Sequence, residues 1–403
     1  MFLFGFCEKV DNWELHRAYF RSKAGGFPAW LNPDQTPKVI CPFCQQPMML
    51  LLQAYAEKEP DHAYHRTVYV FTCRNGECHK VSIESEDSTT KLPYKVLRCQ
   101  LPRVNNYYES NPSENYEQDK KVMVRADKKL ATNFCFNCGQ AAGGRCVACG
   151  SVAYCGKPCQ TIHWKTGHKK VCKTIKKKPA GNFIYPTKKS SWSFDEYEIA
   201  IEPEPSKDEE EKNIQEENEK ILKEIGENGD DLSDTELDAA ASSSKLKVDK
   251  VFEKFKKRIN RDPEQVLRYI QDDVRKCSAG ALHISDSGKQ QAENLKIPFC
   301  ELCKSERVLE FQIMPQILCH LNADKNPIKN RSLHDTFQDR INLANSNFGV
   351  DFGVLNVFTC KASCKIDKNG YAEEEFSSTV VIICGLFKLL IVITTVFSRV
   401  KNF

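Results

Sequence analysis

The chain has 403 residues, 41% apolar and 28% charged, which is enough apolar content for two or three packed domains and excludes a wholly disordered protein. Its formal net charge of +4 hides a segregation: residues 120–189 hold sixteen Lys and Arg against one Asp, and residues 202–238 hold sixteen Asp and Glu against four Lys. Twenty cysteines, mostly in pairs three to five positions apart, exclude a small secreted disulfide scaffold and point to metal sites in a reducing compartment.

The start, Met-Phe-Leu-Phe-Gly-Phe, turns polar by Glu8 without a basic lead or a small-residue cleavage site. No secretory signal is read there, so cytoplasm and nucleus are the expected compartments. Residues 1–125 are mixed and strand-like, with β-branched and aromatic stretches such as Thr67 to Thr72. Gly25-Gly26-Phe27-Pro28-Ala29-Trp30 reads as a tight turn stiffened by proline, and structural use of Trp30 is favoured over contact with a partner. Cys41/Cys44 and Cys73/Cys78 are spaced as two metal knuckles, with His79 as an alternative to Cys78.

Residues 130–175 carry the strongest signal. Cys135/Cys138, Cys146/Cys149, Cys155/Cys159 and His168/Cys172 place eight ligands within 38 residues, the number that two tetrahedral zinc ions require. His168 is preferred over His163 because three residues separate it from Cys172, the usual spacing of paired ligands. So small a segment lacks an apolar core, and metal would supply its folding energy. With Tyr154-Cys155 and His163-Trp164 before the last pair, it resembles a MYND-type zinc finger. The resemblance implies that Cys135, Cys138, Cys155 and Cys159 share one ion and Cys146, Cys149, His168 and Cys172 the other. It also implies binding of short, proline-containing peptides, and no catalysis. The surrounding basic charge allows weak phosphate contact, but base-reading motifs are missing; Lys173, Lys176, Lys177 and Lys178 would serve as a nuclear import signal.

Residues 200–247 read as a disordered acidic linker. Val248 to Ile259 has the period of an amphipathic helix, and Asp262-Pro263-Glu264-Gln265 predicts a second helix running through Tyr269. Residues 248–376 then repeat landmarks of the N-terminal region. Cys41-Pro42-Phe43-Cys44, Leu50 and Gln53 align at one offset with Cys300-Glu301-Leu302-Cys303, Leu309 and Gln312, and Val70-Phe71-Thr72-Cys73 recurs as Val357-Phe358-Thr359-Cys360. An internal duplication predicts two ribbon-like zinc sites, Cys41/Cys44/Cys73/Cys78 and Cys300/Cys303/Cys360/Cys364. The expected architecture is α+β, mostly β: a pseudo-duplicated β body whose halves bury their sheet faces on each other, interrupted by the finger and the linker. Cys7, Cys99, Cys277, Cys319 and Cys384 have no such partners and are read as ordinary thiols. In the tail, residues 377–403, Val380 to Phe397 carry only one charge, Lys388; an isoform or wrongly assigned gene end, a membrane anchor and a buried element all stand open.

Gly25 to Leu31, CPFC, the MYND-like finger, Asp262 to Tyr269, CELC with Phe-Gln-Ile-Met-Pro-Gln, Asp351-Phe352-Gly353 and Tyr371 to Glu374 occur in one order that resembles the programmed cell death protein 2 family over residues 1–376. The resemblance implies a dedicated chaperone that binds a newly made protein of the small ribosomal subunit and supports ribosome biogenesis, with links to proliferation and apoptosis. The acidic run reads first as a solvated spacer and as an alternative could screen a basic client, while a β surface would cover the client's strand edges. The competing expectation is a nuclear adaptor that recruits proline-containing corepressor peptides through the finger. No glycine-rich cofactor loop or nucleophile elbow is present, so no enzymatic activity is expected.

Overall fold

The computed structural model describes residues 2–79, 92–108, 133–174, 190, 192–204, 250–270, 281–294, 297–323, 349–350, 352–367 and 370–379. Ten strands close into one antiparallel barrel. Strands β1 (Phe2–Glu8), β2 (Lys23–Ala24), β3 (Met49–Tyr55), β4 (His65–Thr72) and β5 (Tyr94–Leu101) precede the finger, whose own hairpin is β6 (Gly144–Arg145) and β7 (Ala153–Tyr154). After it come β8 (Tyr197–Pro203), β9 (Leu267–Ile270), β10 (Arg307–Ile313), β11 (Val354–Cys360) and β12 (Tyr371–Thr379). Around the barrel the order is β1-β8-β2-β3-β4-β5-β12-β11-β10-β9, and β9 pairs back onto β1.

This ring is two equivalent five-stranded sheets, β8-β2-β3-β4-β5 and β1-β9-β10-β11-β12, joined at antiparallel seams β1–β8 and β5–β12. The duplication extends to the backbone irregularities. A bulge interrupts β3 between Leu50 and Leu52, and its counterpart interrupts β10 between Leu309 and Phe311. Leu50 opposes Phe71 as Leu309 opposes Phe358. Bulges turn a sheet corner, and two at matching places help both halves curl into one closed surface. The first strand of the chain completes the second half, while β8, from beyond the finger, completes the first. The halves are thus exchanged, and they meet along strand edges as well as across an apolar interior.

That interior is continuous: Met49, Leu51, Val68, Val70 and Val96 from one half and Leu267, Phe311, Ile313, Leu355 and Val357 from the other belong to one core. A buried ion pair runs through it. Arg66 on β4 donates two bonds, of 2.6 and 2.7 Å, to the Glu310 carboxylate on β10, a strand that is not its neighbour. Tyr269 Oη also donates to Glu310 at 2.8 Å.

After α1 (Lys157–His163) and α2 (Lys169–Val171) of the finger, helix α3 (Lys250–Ile259) turns Phe255 and Ile259 inward against Leu282, Ile284, Met314 and Val354, as its period predicts. The second predicted helix is not formed: Leu267–Ile270 is strand β9, held between β1 and β10. Asp262 to Gln265 closes the end of α3 instead of opening a new helix, because Gln265 Nε2 donates to Ile259 O and, at 2.7 Å, to Asp262 O. Val266 to Ile270 is then free to be drawn into the barrel, and tertiary pairing overrides the local capping signal. The expected acidic linker overlaps β8 over residues 200–203; residues 205–247 lie outside the described residues. Ser377 to Thr379 belong to β12, and the apolar run Val380–Phe397 also lies outside the described residues. Among the described residues no helix is long and apolar enough to cross a membrane.

Candidate metal centres

The sixteen expected ligands come together in four groups: Cys41/Cys44/Cys73/Cys78, Cys135/Cys138/Cys155/Cys159, Cys146/Cys149/His168/Cys172 and Cys300/Cys303/Cys360/Cys364, the ligand atoms of each within 4.8 Å of one another. Four sulfurs at about 2.3 Å from a tetrahedral zinc stand about 3.8 Å apart. The Sγ–Sγ separations of Cys44–Cys73 and Cys138–Cys155 are 3.6 Å, of Cys146–Cys172 3.8 Å, of Cys300–Cys364 3.7 Å and of Cys303–Cys360 3.5 Å. Cys149 Sγ lies 3.6 Å from His168 Nε2. Each donor set fits zinc in charge, number and span.

Local structure explains how each group assembles. Each C-x2-C pair sits on a tight turn just before a strand or hairpin. Cys41 O accepts from Gln45 N, and Cys300 O from Lys304 N, with Gln45 and Lys304 both at positive φ. The second pair follows the partner strand, so a ribbon site forms only after β3 pairs with β4, or β10 with β11. In the finger, α1 (Lys157–His163), a wide turn at Trp164–His168 and α2 (Lys169–Val171) bring His168 and Cys172 to the second pair. Gly167, at φ 156°, is the residue that permits that turn.

The imidazole alternatives are resolved by hydrogen bonding. His163 stands outside the cluster: its Nδ1 is 2.8 Å from Tyr154 Oη and its ring stacks on Phe136. Burial and the neighbouring His168 hold its pKa down at about 4, so it is neutral at physiological pH. His79 is engaged with Tyr94 Oη and Cys73 O, and Cys78 joins the cluster in its place. Cys7 and Cys99 are isolated thiols, both pushed up to about 12 chiefly by burial, which makes them unreactive.

The finger is docked on the N-terminal half. Gln140, in the turn after Cys138, accepts from Val39 N and donates to Val39 O and Met48 O at 2.9–3.1 Å, bridging the two sides of the Cys41 knuckle. Trp30, 2% exposed, donates from Nε1 to Gly139 O at 2.7 Å, stacks on Phe71 and packs at a tilt against Tyr69. Gly139 is at φ 68°, and a Cβ there would lie 2.8 Å from Phe27. The Gly-Gly-Phe-Pro-Ala-Trp stretch is therefore structural, as expected, and builds the seat for the finger.

The duplication explains why only one half needs that seat. Pro298 and Arg307 stand where Val39 and Met48 stand in the first copy. In the second copy Arg307 Nη1 donates to Pro298 O and Phe299 O, both at 2.8 Å, so the half caps its own knuckle. Gln140, Arg98, Arg307 and Glu374 all brace these centres and escape a reading by ligand spacing. The one available signal was the absence of an arginine at Met48, visible only once the copies are aligned.

Residues 2–115 match the programmed cell death protein 2 N-terminal domain, residues 249–381 its C-terminal putative domain and residues 135–172 the MYND finger. Programmed cell death protein 2 of Bos taurus is 34% identical over 92% of this chain and 94% of its own length. The chain belongs to the programmed cell death protein 2 family. The Mus musculus member is 33% identical with the same coverage. A Schizosaccharomyces pombe relative named "Probable 20S rRNA accumulation protein 4" is 22% identical over 74% of this chain and 83% of its own length. No solved structure matches. A MYND finger implies zinc, and the family's two domains correspond to the two halves that exchange strands in the barrel.

Proposed function

We propose that the chain is a non-enzymatic, zinc-stabilised escort that binds a newly made small-subunit ribosomal protein during ribosome biogenesis, holding four zinc ions. The observation that carries this reading is similarity over most of the chain to a relative named for 20S rRNA accumulation. Four complete four-ligand sets support binding over catalysis, since a full coordination sphere leaves no position for a reactive water. The charge pattern supports it too: a net −12 over residues 202–238 suits a basic client that aggregates without its RNA. Each barrel strand has a neighbour on both sides over part of its length, which leaves little free edge for capturing a client strand. Cytoplasm and nucleus are the compartments this role needs.

The adaptor reading has one observation of its own. Trp164, Val147 and Val171 on the finger are exposed, Trp164 at 38%, and no Asp or Glu occurs between residues 133 and 174. Because Gln140 and Trp30 bind finger and body together, deleting the finger would damage both, and a point change is the better discriminator. Pulse-labelled affinity purification of the full chain and of Trp164→Ala is expected to enrich one newly synthesised small-subunit ribosomal protein with both. Loss of all partners in the variant would shift the assignment to the adaptor; absence of any ribosomal protein in either would remove the escort reading.

A further inference from the structure

The two seams of the barrel differ in length. At the first, Leu3–Glu8 pairs with Glu198–Pro203; at the second, only Val96–Cys99 pairs with Tyr371–Glu374. The shorter seam is where the C-terminal cysteine cluster meets the opposite half. Arg98 on β5 donates from Nη1 to Cys364 O at 3.1 Å, and its Nη2 lies 3.6 Å from Cys364 Sγ. Gln100 Nε2 donates to Ser363 O at 3.1 Å, and His62 Nε2 lies 2.9 Å from the same oxygen. Three side chains of the first half therefore grip a loop whose shape is set by the ligands of the second.

Arg98 has a further role there. Its Nε donates to Glu374 Oε1 at 2.5 Å, Arg307 Nε donates to Glu374 Oε2 at 2.9 Å, and Cys360 N donates to that same Oε2 at 3.2 Å. Arg98 and Glu374 are fully buried. Glu374 neutralises one of two arginines, leaving one positive charge beside Cys364. A zinc ion with four thiolates carries a net charge of about −2, and buried charge needs a partner. The surplus arginine supplies one. Cys303 is exposed, so this centre is also open to solvent on the side away from the seam.

We propose that Arg98 is the outer-sphere charge partner of the Cys300/Cys303/Cys360/Cys364 centre and couples metal held there to closure of the β5–β12 seam. Zinc orders Cys360 to Cys364, the ordered loop presents Ser363 O and Cys364 O to β5 and His62, and the seam closes. This rests on zinc filling the centre, which total zinc per full-length wild-type chain reads separately: four ions are expected from the four ligand groups, and an empty C-terminal centre overturns the coupling without touching the escort role.

The test compares the zinc-loaded wild type with Arg98→Met, which removes the surplus positive charge and leaves the buried Glu374 carboxylate paired with Arg307, and with Cys303→Ser, which alters an exposed ligand that makes none of these bonds. Zinc release to a chromophoric chelator and hydrogen–deuterium exchange over residues 94–101 and 371–379 are measured together. Arg98→Met is expected to release one ion about tenfold faster than wild type, leave the others unchanged and lose protection at the seam. Cys303→Ser should lose the same ion and the same protection. Wild-type release from Arg98→Met would make Arg98 merely structural; loss of zinc from Cys303→Ser with the seam still protected would break the coupling.

Discussion

His65 shows how burial turns an ordinary residue into a pH liability. Its ring stacks on Phe20 at 4.3 Å, Nδ1 is 3.0 Å from Tyr55 Oη, and burial pushes its pKa below the usual 6.5. The unfolded chain takes up a proton near pH 6.5 while the folded one resists. The contribution of neutral His65 is therefore present above about pH 6.5 and shrinks as pH falls through the folded value. Urea unfolding at pH 7.5, 6.5 and 5.5 should show stability decreasing with acidification, with a shallower slope in His65→Gln; an unchanged slope would place the proton elsewhere. None of this is legible in the sequence, where His65 is one of nine histidines. His168 was legible, since its distance from Cys172 marks it as a ligand, and Tyr154 and Phe136 show why His163 is occupied otherwise.

At the scale of elements, the finger and the first ribbon form one unit through Gln140. Removing its side chain leaves Val39 N without its acceptor in a buried place and takes a donor from Val39 O and Met48 O. An unsatisfied buried backbone group costs about 1–3 kcal/mol. Gln140→Ala should therefore lower stability by about 2 kcal/mol and expose the finger to limited proteolysis with its zinc still bound; an unchanged denaturation midpoint would show that apolar contacts around Trp30 suffice. The C-terminal half, self-capped by Arg307, needs no such partner. The ribbon pairs were readable from spacing because a metal constrains its ligands locally, whereas docking depends on which backbone groups the folded halves leave unsatisfied. The same contrast explains the misread helix: Asp262 to Gln265 has start chemistry, and the bonds made by Gln265 turn it into a stop.

For the whole molecule, the Arg66–Glu310 pair fastens one half to the other through the barrel. Its position in the duplication is telling, because the first-copy counterpart of Glu310 is Leu51, a core residue. Removing one partner leaves an uncompensated buried charge, a loss of about 3–5 kcal/mol, while replacing both with apolar groups is often neutral. Glu310→Ala should unfold at markedly lower urea, and Arg66→Met/Glu310→Leu should recover most of that loss. Failure of the double variant to recover would mean that Tyr269 and Thr359, which also bond Glu310, hold the polar arrangement in place.

Taken alone, the sequence determined the ligand pairs, the finger, the duplication and the mostly β class, because these rest on short-range spacing and on residues repeated at a constant offset. Only the tertiary structure decided that the halves exchange strands into a single closed barrel, that the finger is seated on one half and that one cysteine cluster meets the opposite half at a seam. Those features depend on strand pairing and buried charge between residues more than a hundred positions apart, and no local pattern encodes which distant edge or carboxylate a strand or an arginine will meet.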